Sequence, residues 1–168
     1  MNKKTNFLLH LIFIIGCSNI VDEDSLIEKD TLKYSNNSSS PFNGEVIGKY
    51  SSGEDRVRGN YKDGKREGRW VFLHKNGKDS EKGEYINGNR NSEWNKWYDN
   101  GILASSGEYV NGMKEGIWKF WYNNGNKEKE IKFLNDKEDG QTKIWYSNGK
   151  QKSNVSYSIG IKSGEYVE

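Results

Sequence analysis

The sequence predicts an all-β protein, an antiparallel array of β-hairpin repeats that forms one elongated, curved sheet. Glycine and aromatic residues recur with a period of 24 residues, without insertion, from Gly44 to Gly164. Within each period, large side chains fall two residues apart, which places them on one face of a strand. Asn-Gly pairs follow these segments, and Asn-Gly is a strong signal for a hairpin turn. The fold class follows from these three observations together.

A few positions define the repeat. The opening glycine occurs at Gly44, Gly68, Gly116, Gly140 and Gly164, with Ser92 in its place once. Two residues later stand Trp70, Trp94 and Trp118, with Val46 and Thr142 in the outer units. A second ring position holds Tyr50, His74, Tyr98, Tyr122 and Tyr146, and a third holds Tyr61, Tyr85, Tyr109, Phe133 and Tyr157. These rings are the predicted core, because repeat units bury their apolar faces against neighbours.

Each unit is predicted to contain two strands joined by a tight turn. In one unit the strands include residues 70–74 and 83–86, and Asn76-Gly77 lies between them. A type I′ turn needs positive φ at both central residues, and Asn-Gly is its preferred pair. A further loop, at Asn87-Gly88, leads into the next unit.

The turn also predicts the register. With Asn76-Gly77 as a two-residue loop, Trp70 lies opposite Gly83, and in the next unit Trp94 lies opposite Gly107. A large ring beside a glycine covers the backbone that glycine leaves bare. We therefore expect the glycines to make room for rings, so that one face of the sheet is a ladder of Trp, Tyr and Phe.

The last units depart from the pattern. Ile131 and Val155 stand where glycine is expected. Terminal repeats are commonly atypical because they cap the stack. Residues 164–168 are predicted to form a final strand whose acidic residues protect an edge of the sheet.

The first residues predict an export signal. Residues 1–16 combine Lys3 and Lys4 with the apolar segment Phe7–Ile15 and a closing glycine. This is the organisation of a secretory signal peptide. The apolar segment is too short to cross a hydrocarbon core of about 30 Å as a stable helix.

Ile14-Ile15-Gly16-Cys17 resembles the lipobox of bacterial lipoproteins. The resemblance implies that Cys17 is acylated, becomes the first mature residue and anchors the chain to a membrane of the bacterial cell envelope. Cys17 is the only cysteine, so no internal disulfide competes for it. By the same resemblance, Ser18 after the cysteine implies the outer membrane where the organism has one.

Residues 17–41 are predicted to be the lipidated N-terminus and a flexible tether, followed by the repeat domain at 42–168. The tether contains an acidic run at 22–24, a polar run at 36–40 and few large apolar groups. Such a composition is typical of a solvated linker. Leu32 and Tyr34 are expected to form a short capping strand.

The segment Gly116–Gly125, with the order Gly-x-Trp-x-x-Trp-Tyr-x-Asn-Gly, resembles the bacterial variant of the MORN repeat. The resemblance covers about residues 42–168 and implies a β-hairpin repeat fold. Members of this family are often described as antitoxin-like, and MORN repeats elsewhere are linked to lipid or protein binding. Fold alone does not assign a function, so the resemblance leaves the function open.

Composition and charge exclude some function classes. Only 32% of residues are hydrophobic and 30% are charged, but 13% are aromatic, which indicates a thin aromatic-rich sheet and not a disordered chain. Without Lys3 and Lys4 of the signal, the chain has 24 basic and 24 acidic residues. Nucleic-acid binding requires a basic stripe, and we expect no nucleic-acid partner.

The sequence predicts no catalytic residue, metal or cofactor. His74 occupies a position that is tyrosine in the other units, so it is interpreted as a repeat substitution and not as a general base. No His, Cys and Asp spacing resembles a metal site. The protein is therefore expected to be non-enzymatic.

A second set of large residues, on the face opposite the Trp70 ladder, consists of Leu73, Trp97, Trp121 and Trp145. This stripe is either a second core surface or an exposed binding platform, since large apolar patches usually mark contact sites. As a platform it is expected to bind a partner protein, because flat repeat surfaces suit extended contacts and tryptophan is a common hot spot. A glycan, a lipid, a toxin neutralised by an antitoxin-like protein and a structural spacer are the alternatives.

Overall fold

The computed structural model describes residues 20–167, with their side chains as far as residue 164. Cys17 and the predicted signal peptide lie outside the described residues. The strands are β1 (Val21–Asp22), β2 (Ile27–Lys29), β3 (Leu32–Tyr34), β4 (Gly44–Lys49), β5 (Asp55–Lys62), β6 (Lys65–Leu73), β7 (Asp79–Ile86), β8 (Asn89–Trp97), β9 (Leu103–Val110), β10 (Met113–Trp121), β11 (Lys127–Leu134), β12 (Lys137–Trp145), β13 (Gln151–Ser158) and β14 (Ile161–Val167). A single 3-10 turn covers Glu23–Ser25, and residues 20–167 contain no α-helix.

Twelve strands form one sheet in the order β1-β4-β5-β6-β7-β8-β9-β10-β11-β12-β13-β14. Neighbouring strands run antiparallel, except that β1 pairs in parallel with β4. Strands β2 and β3 form a separate two-stranded hairpin. The predicted all-β array of antiparallel hairpins, with two strands in each repeat, is confirmed.

The predicted register is confirmed at the tryptophans, because Trp70 pairs with Gly83 and Trp94 with Gly107. The turn that was expected to fix this register is different. Gly77 has a φ of 78°, but Asn76 does not have positive φ, so the pair is not a type I′ turn. The loop is longer than two residues, and a bulge between Phe72 and Leu73 absorbs the difference. From Phe72 to Gly68, strands β6 and β7 therefore pair in the expected register.

The asparagine of each of these turns is explained by the hydrogen bonds of its side chain. The amide Nδ2 donates to a carbonyl oxygen of the next unit, from Asn76 to Asp99, from Asn100 to Asn123 and from Asn124 to Ser147, at 2.7, 2.9 and 2.9 Å. The Oδ1 atom accepts the backbone N–H two residues further on. The backbone of this turn does not need asparagine for positive φ. The role of the asparagine is to link successive units through its side chain.

The loops between units have the backbone that was expected at Asn76-Gly77. Asn87 and Gly88 have φ of 51° and 84°, and Asn111 and Gly112 have 50° and 86°. Both residues of each pair are therefore in the left-handed region, as a type I′ turn requires. The same dipeptide therefore adopts two turn types in one chain.

The segment that was expected to be a flexible tether is folded from residue 21 onward. Strand β1 covers the edge of β4, and the predicted capping strand β3 pairs with β2. Leu26 is buried in the same core as Phe42 and Tyr61. The segment is therefore an N-terminal cap on the first repeat, which we call the N-cap (residues 21–34), and not a solvated linker.

A buried carboxylate attaches the N-cap to the first repeats. Glu23 lies within 3.4 Å of guanidinium nitrogens of both Arg56 and Arg66, and the Tyr61 hydroxyl donates to its Oε1 at 3.2 Å. Its side chain is only 9% exposed, so these partners replace most of its water. Burial is the main cause that raises the pKa of Tyr61, with Arg66 acting in the opposite direction. From the sequence alone, Glu23 could not be distinguished from the solvated acidic residues next to it.

Candidate functional site

The sheet has two faces of different character. The core face is the one that carries Trp70, Trp94 and Trp118. The outer face is the one that carries Leu73, Trp97, Trp121 and Trp145. The three tryptophans of the core face are 0%, 2% and 4% exposed, whereas those of the outer face are half-buried.

Each buried tryptophan of the core face lies directly over a glycine of the preceding strand. A Cβ atom on Gly83 would come within 2.3 Å of the Trp94 ring. The indole Nε1 of Trp94 donates to the carbonyl oxygen of Glu84 at 3.1 Å. Trp70 and Trp118 lie in the same way over Gly59 and Gly107. The glycines do make room for rings, but the ring over Gly83 is that of Trp94 and not that of its pairing partner Trp70.

The contact between the fourth and fifth units follows the same packing rule with different residues. Thr142 occupies the tryptophan position, and Ile131 occupies the glycine position. The two residues pair directly, and both are buried. The Ile131 side chain thus stands where the other units have bare glycine beneath an indole. The departure from the repeat pattern near the C-terminus is therefore a coupled exchange of two residues.

Tyrosines and cations close the core face over the tryptophans. Tyr85 packs edge-on against Trp94, with ring centroids 5.0 Å apart. The Arg90 guanidinium lies 4.2 Å from the centroid of the Trp94 ring and donates to the Tyr109 hydroxyl at 3.3 Å. Arg66 over Trp70 and Lys114 over Trp118 repeat this arrangement. Cation–π contacts contribute roughly 0.5–2 kcal/mol each, and the 24-residue spacing of these cations was a signal that the sequence analysis missed.

The predicted core aromatics divide into two groups. Trp70, Trp94, Trp118 and Tyr85 belong to the buried core, and Tyr109 packs against it half-buried. Tyr98, Tyr122 and Tyr146 are not part of this core, and Tyr146 is exposed. The hydroxyl groups of Tyr98 and Tyr122 instead donate to the carbonyl oxygens of Trp121 and Trp145, both at 2.8 Å. Their role is to link one unit to the next at the turn.

His74 makes the same link between units as these tyrosines. Its Nε2 lies 2.9 Å from the carbonyl oxygen of Trp97. Because a carbonyl oxygen only accepts, Nε2 carries the hydrogen in this bond. Tyr50 makes the equivalent bond to Leu73 at 2.7 Å. The geometry supports the interpretation of His74 as a structural substitute for tyrosine.

The stripe predicted on the outer face is assembled as one row across alternate strands. Leu73 is buried, and Trp97, Trp121 and Trp145 follow it, each half-buried and separated from the next by one strand. The Lys82 ammonium lies 4.6 Å from the centroid of the Trp97 ring, and the Lys127 ammonium lies 4.8 Å from that of Trp145. The row is therefore partly covered by its own neighbours and partly available to solvent.

A second apolar row lies on the outer face near the other ends of the strands. Ile86, Val110 and Leu134 follow the core-face rings Tyr85, Tyr109 and Phe133, and alternation along a strand places them on the outer face. They are 47%, 43% and 40% exposed, and Met113, which pairs with Val110, is 41% exposed. Their spacing of 24 residues could have identified this row from the sequence. A polar band that includes Glu84, Glu108 and Lys119 lies between the two rows.

No group of three or more His, Cys, Asp or Glu side chains between residues 20 and 167 could hold a metal ion. Over the same residues, no helix is long and apolar enough to cross a membrane. No protein-family profile and no curated protein matches the chain. The resemblance to MORN repeats therefore remains a prediction from sequence.

Proposed function

We propose that the chain is a non-enzymatic lipoprotein of the bacterial cell envelope, anchored through acylated Cys17, whose outer face binds a partner protein. The observation that carries this proposal is the pair of apolar rows on the outer face. A sheet face that only meets water needs no exposed apolar residue at one fixed position in three successive units. Exposed apolar patches on soluble proteins usually mark contact sites.

The dimensions of the outer face fit a protein partner. From β6 to β12 the rows span six inter-strand spacings, or about 29 Å at roughly 4.8 Å per strand. Along the strands the rows lie on the order of 20 Å apart, at about 3.3 Å per residue. Specific protein interfaces bury about 800 Å² on each partner and mix apolar anchors with polar groups. An area of this size and composition suits one standard interface.

A glycan is the second candidate, because Trp97, Trp121 and Trp145 form an evenly spaced row of indoles. However, lysine ammonium groups already occupy positions over the rings of Trp97 and Trp145, which reduces the ring surface left for a sugar. A lipid surface is disfavoured by the equal numbers of acidic and basic residues after the signal segment. An antitoxin or immunity role rests on the family resemblance alone.

In-cell crosslinking of the tagged full-length protein, followed by mass spectrometry, tests the proposal. We expect one recurrent protein partner that is lost when Cys17→Ala removes the anchor. The double variant Val110→Glu/Leu134→Glu should also lose this partner, because it places charges in the exposed row without touching the core. Ile159→Glu, the same change at an exposed turn residue outside both rows, is the matched control and should retain it.

The outcomes separate the candidates. A partner that is captured equally by the double variant would place the binding surface elsewhere on the chain. The absence of any recurrent partner would refute protein binding and direct the search to glycans, tested by Trp121→Ala in a binding assay with envelope polysaccharide.

A further inference from the structure

One ring is missing from the aromatic ladder of the core face. Phe72 stands between Trp70 and Trp94, with ring centroids at 6.1 and 6.5 Å. The equivalent residue of the next unit, 24 positions later, is Lys96, and Phe120 occupies the position again in the unit after that. The space between Trp94 and Trp118 therefore lacks the ring that its neighbours have, and a cleft of about 200 Å³ opens there. We call it the Lys96 cleft.

The walls of the Lys96 cleft are aromatic and its rim is cationic. Trp94, Tyr109, Trp118 and Phe120 supply rings, and Ser105 contributes only a small side chain. The charged residues that line the cleft are Glu81, Arg90, Lys96 and Lys114. Three of these four groups are positive, although the chain after the signal segment is neutral.

The cations of the cleft differ in how far they are already neutralised. The single acid, Glu81, pairs with Arg90 at 2.8 Å, so these two charges cancel. The Lys114 ammonium lies 4.9 Å from the centroid of the Trp118 ring but has no carboxylate partner among the described residues. Lys96 likewise makes no ion pair with the side chains described for residues 20–164. Two ammonium groups at one aromatic cleft are therefore left without a counter-charge.

We propose that the Lys96 cleft binds a small organic anion, a carboxylate attached to a planar apolar body. The ammonium groups of Lys96 and Lys114 pair with the carboxylate, and the body occupies the position of the missing ring between Trp94 and Trp118. Binding sites commonly combine apolar walls with a few convergent polar groups. At about 200 Å³, the cleft is smaller than the roughly 300 Å³ at which drug-sized sites begin, so the ligand is a small one. This site is independent of the outer face and of the anchor at Cys17.

Benzoate and its neutral analogue benzamide are suitable probes, added to the ¹⁵N-labelled full-length protein in detergent. The readout is the set of six tryptophan indole N–H signals. Benzoate should shift the signals of Trp94 and Trp118 and leave those of the outer-face tryptophans in place. Benzamide should bind at least about tenfold more weakly than benzoate, because a charge-assisted hydrogen bond is lost.

Two variants of one residue separate filling of the cleft from loss of its charge. Lys96→Phe installs the ring that both neighbouring units have, so it should preserve folding and abolish the benzoate shifts. Lys96→Met keeps an unbranched side chain without the charge and should weaken benzoate binding about tenfold. The matched control is Lys119→Phe, the same change on the outer face, which should leave binding unchanged.

Three results would overturn the proposal. Equal binding of benzoate and benzamide would show that the ammonium groups do not select an anion. Full benzoate binding by Lys96→Met would exclude Lys96 as its partner, even if Lys96→Phe failed to fold. Shifts confined to Trp97, Trp121 and Trp145 would place the probe on the outer face.

Discussion

Giving Gly83 a side chain is the sharpest perturbation of the core face. The φ of Gly83 lies outside the positive range, so its backbone accepts alanine without conformational strain. In an ordinary strand this exchange would stabilise the protein by roughly 0.5–1 kcal/mol, because glycine loses more backbone freedom on folding. Here the new Cβ would lie 2.3 Å from the Trp94 ring, so the indole has to leave its place.

The cost follows from what Trp94 would lose. Its bond to the Glu84 carbonyl contributes about 1 kcal/mol, and its edge contact with Tyr85 about 0.5–1.5 kcal/mol. The Arg90 contact contributes roughly 0.5–2 kcal/mol. After subtracting the gain from alanine, we expect Gly83→Ala to lower the free energy of unfolding by about 1–4 kcal/mol. Urea unfolding followed by circular dichroism measures this directly.

The chain supplies its own compensating exchange, Ile131 with Thr142. In a double-mutant cycle, Gly83→Ile and Trp94→Thr should each be strongly destabilising. Combined, they should recover about 0.5–3 kcal/mol relative to the sum of the single effects, since the two side chains share one space. Additive effects, or a Gly83→Ala protein as stable as the wild type, would refute the packing derived for the core face.

Three further substitutions test the contacts between units. Glu23→Gln removes the carboxylate that pairs with Arg66 and one of the two that pair with Arg56, and it should cost about 1–3 kcal/mol; limited proteolysis should then cut within the N-cap, and resistance equal to wild type would contradict its role. His74→Tyr restores the link made by the other units and should raise the melting temperature or leave it unchanged, so a clear decrease in a thermal scan would count against the structural role of His74. Asn100→Ala removes one side-chain bond to the next unit and one to its own turn and should cost about 1–2 kcal/mol; a urea midpoint equal to wild type would show that the asparagine link contributes nothing.

The repeat period was enough to predict the hairpin array and its register. A shift of one residue would move every ring of a strand to the opposite face, so the spacing of Trp70, Gly83 and Trp94 left little freedom. The type I′ turn predicted at Asn76-Gly77 was wrong, because that prediction rested on the φ preference of the two residues alone. The asparagine there bonds to the next unit, and such contacts between units do not appear in a local motif.

Apart from the capping strand β3, the N-cap was missed, and so was the second apolar row, for different reasons. Residues 21–34 lie outside the repeat period, and the segment is short and polar, as a linker is. Only the folded chain shows that Leu26 and Glu23 contact the first repeats. The row formed by Ile86, Val110 and Leu134 did follow the period. The sequence does not show how far an aliphatic residue beside a turn is exposed, so the period alone did not mark these positions as a surface row.

The N-cap also limits where the sheet can stand in the cell envelope. Ile20 is the first described residue, so only Ser18 and Asn19 separate it from Cys17. Three residue steps span at most about 10 Å, and under the proposed anchoring the β1 edge would therefore stay beside the lipid headgroups. The opposite edge lies ten strand spacings beyond β4, or about 48 Å at roughly 4.8 Å each. With the anchor proposed at Cys17, the far edge of the sheet would lie at most roughly 60 Å from the bilayer, and adding or deleting one 24-residue unit would change that limit by about 10 Å.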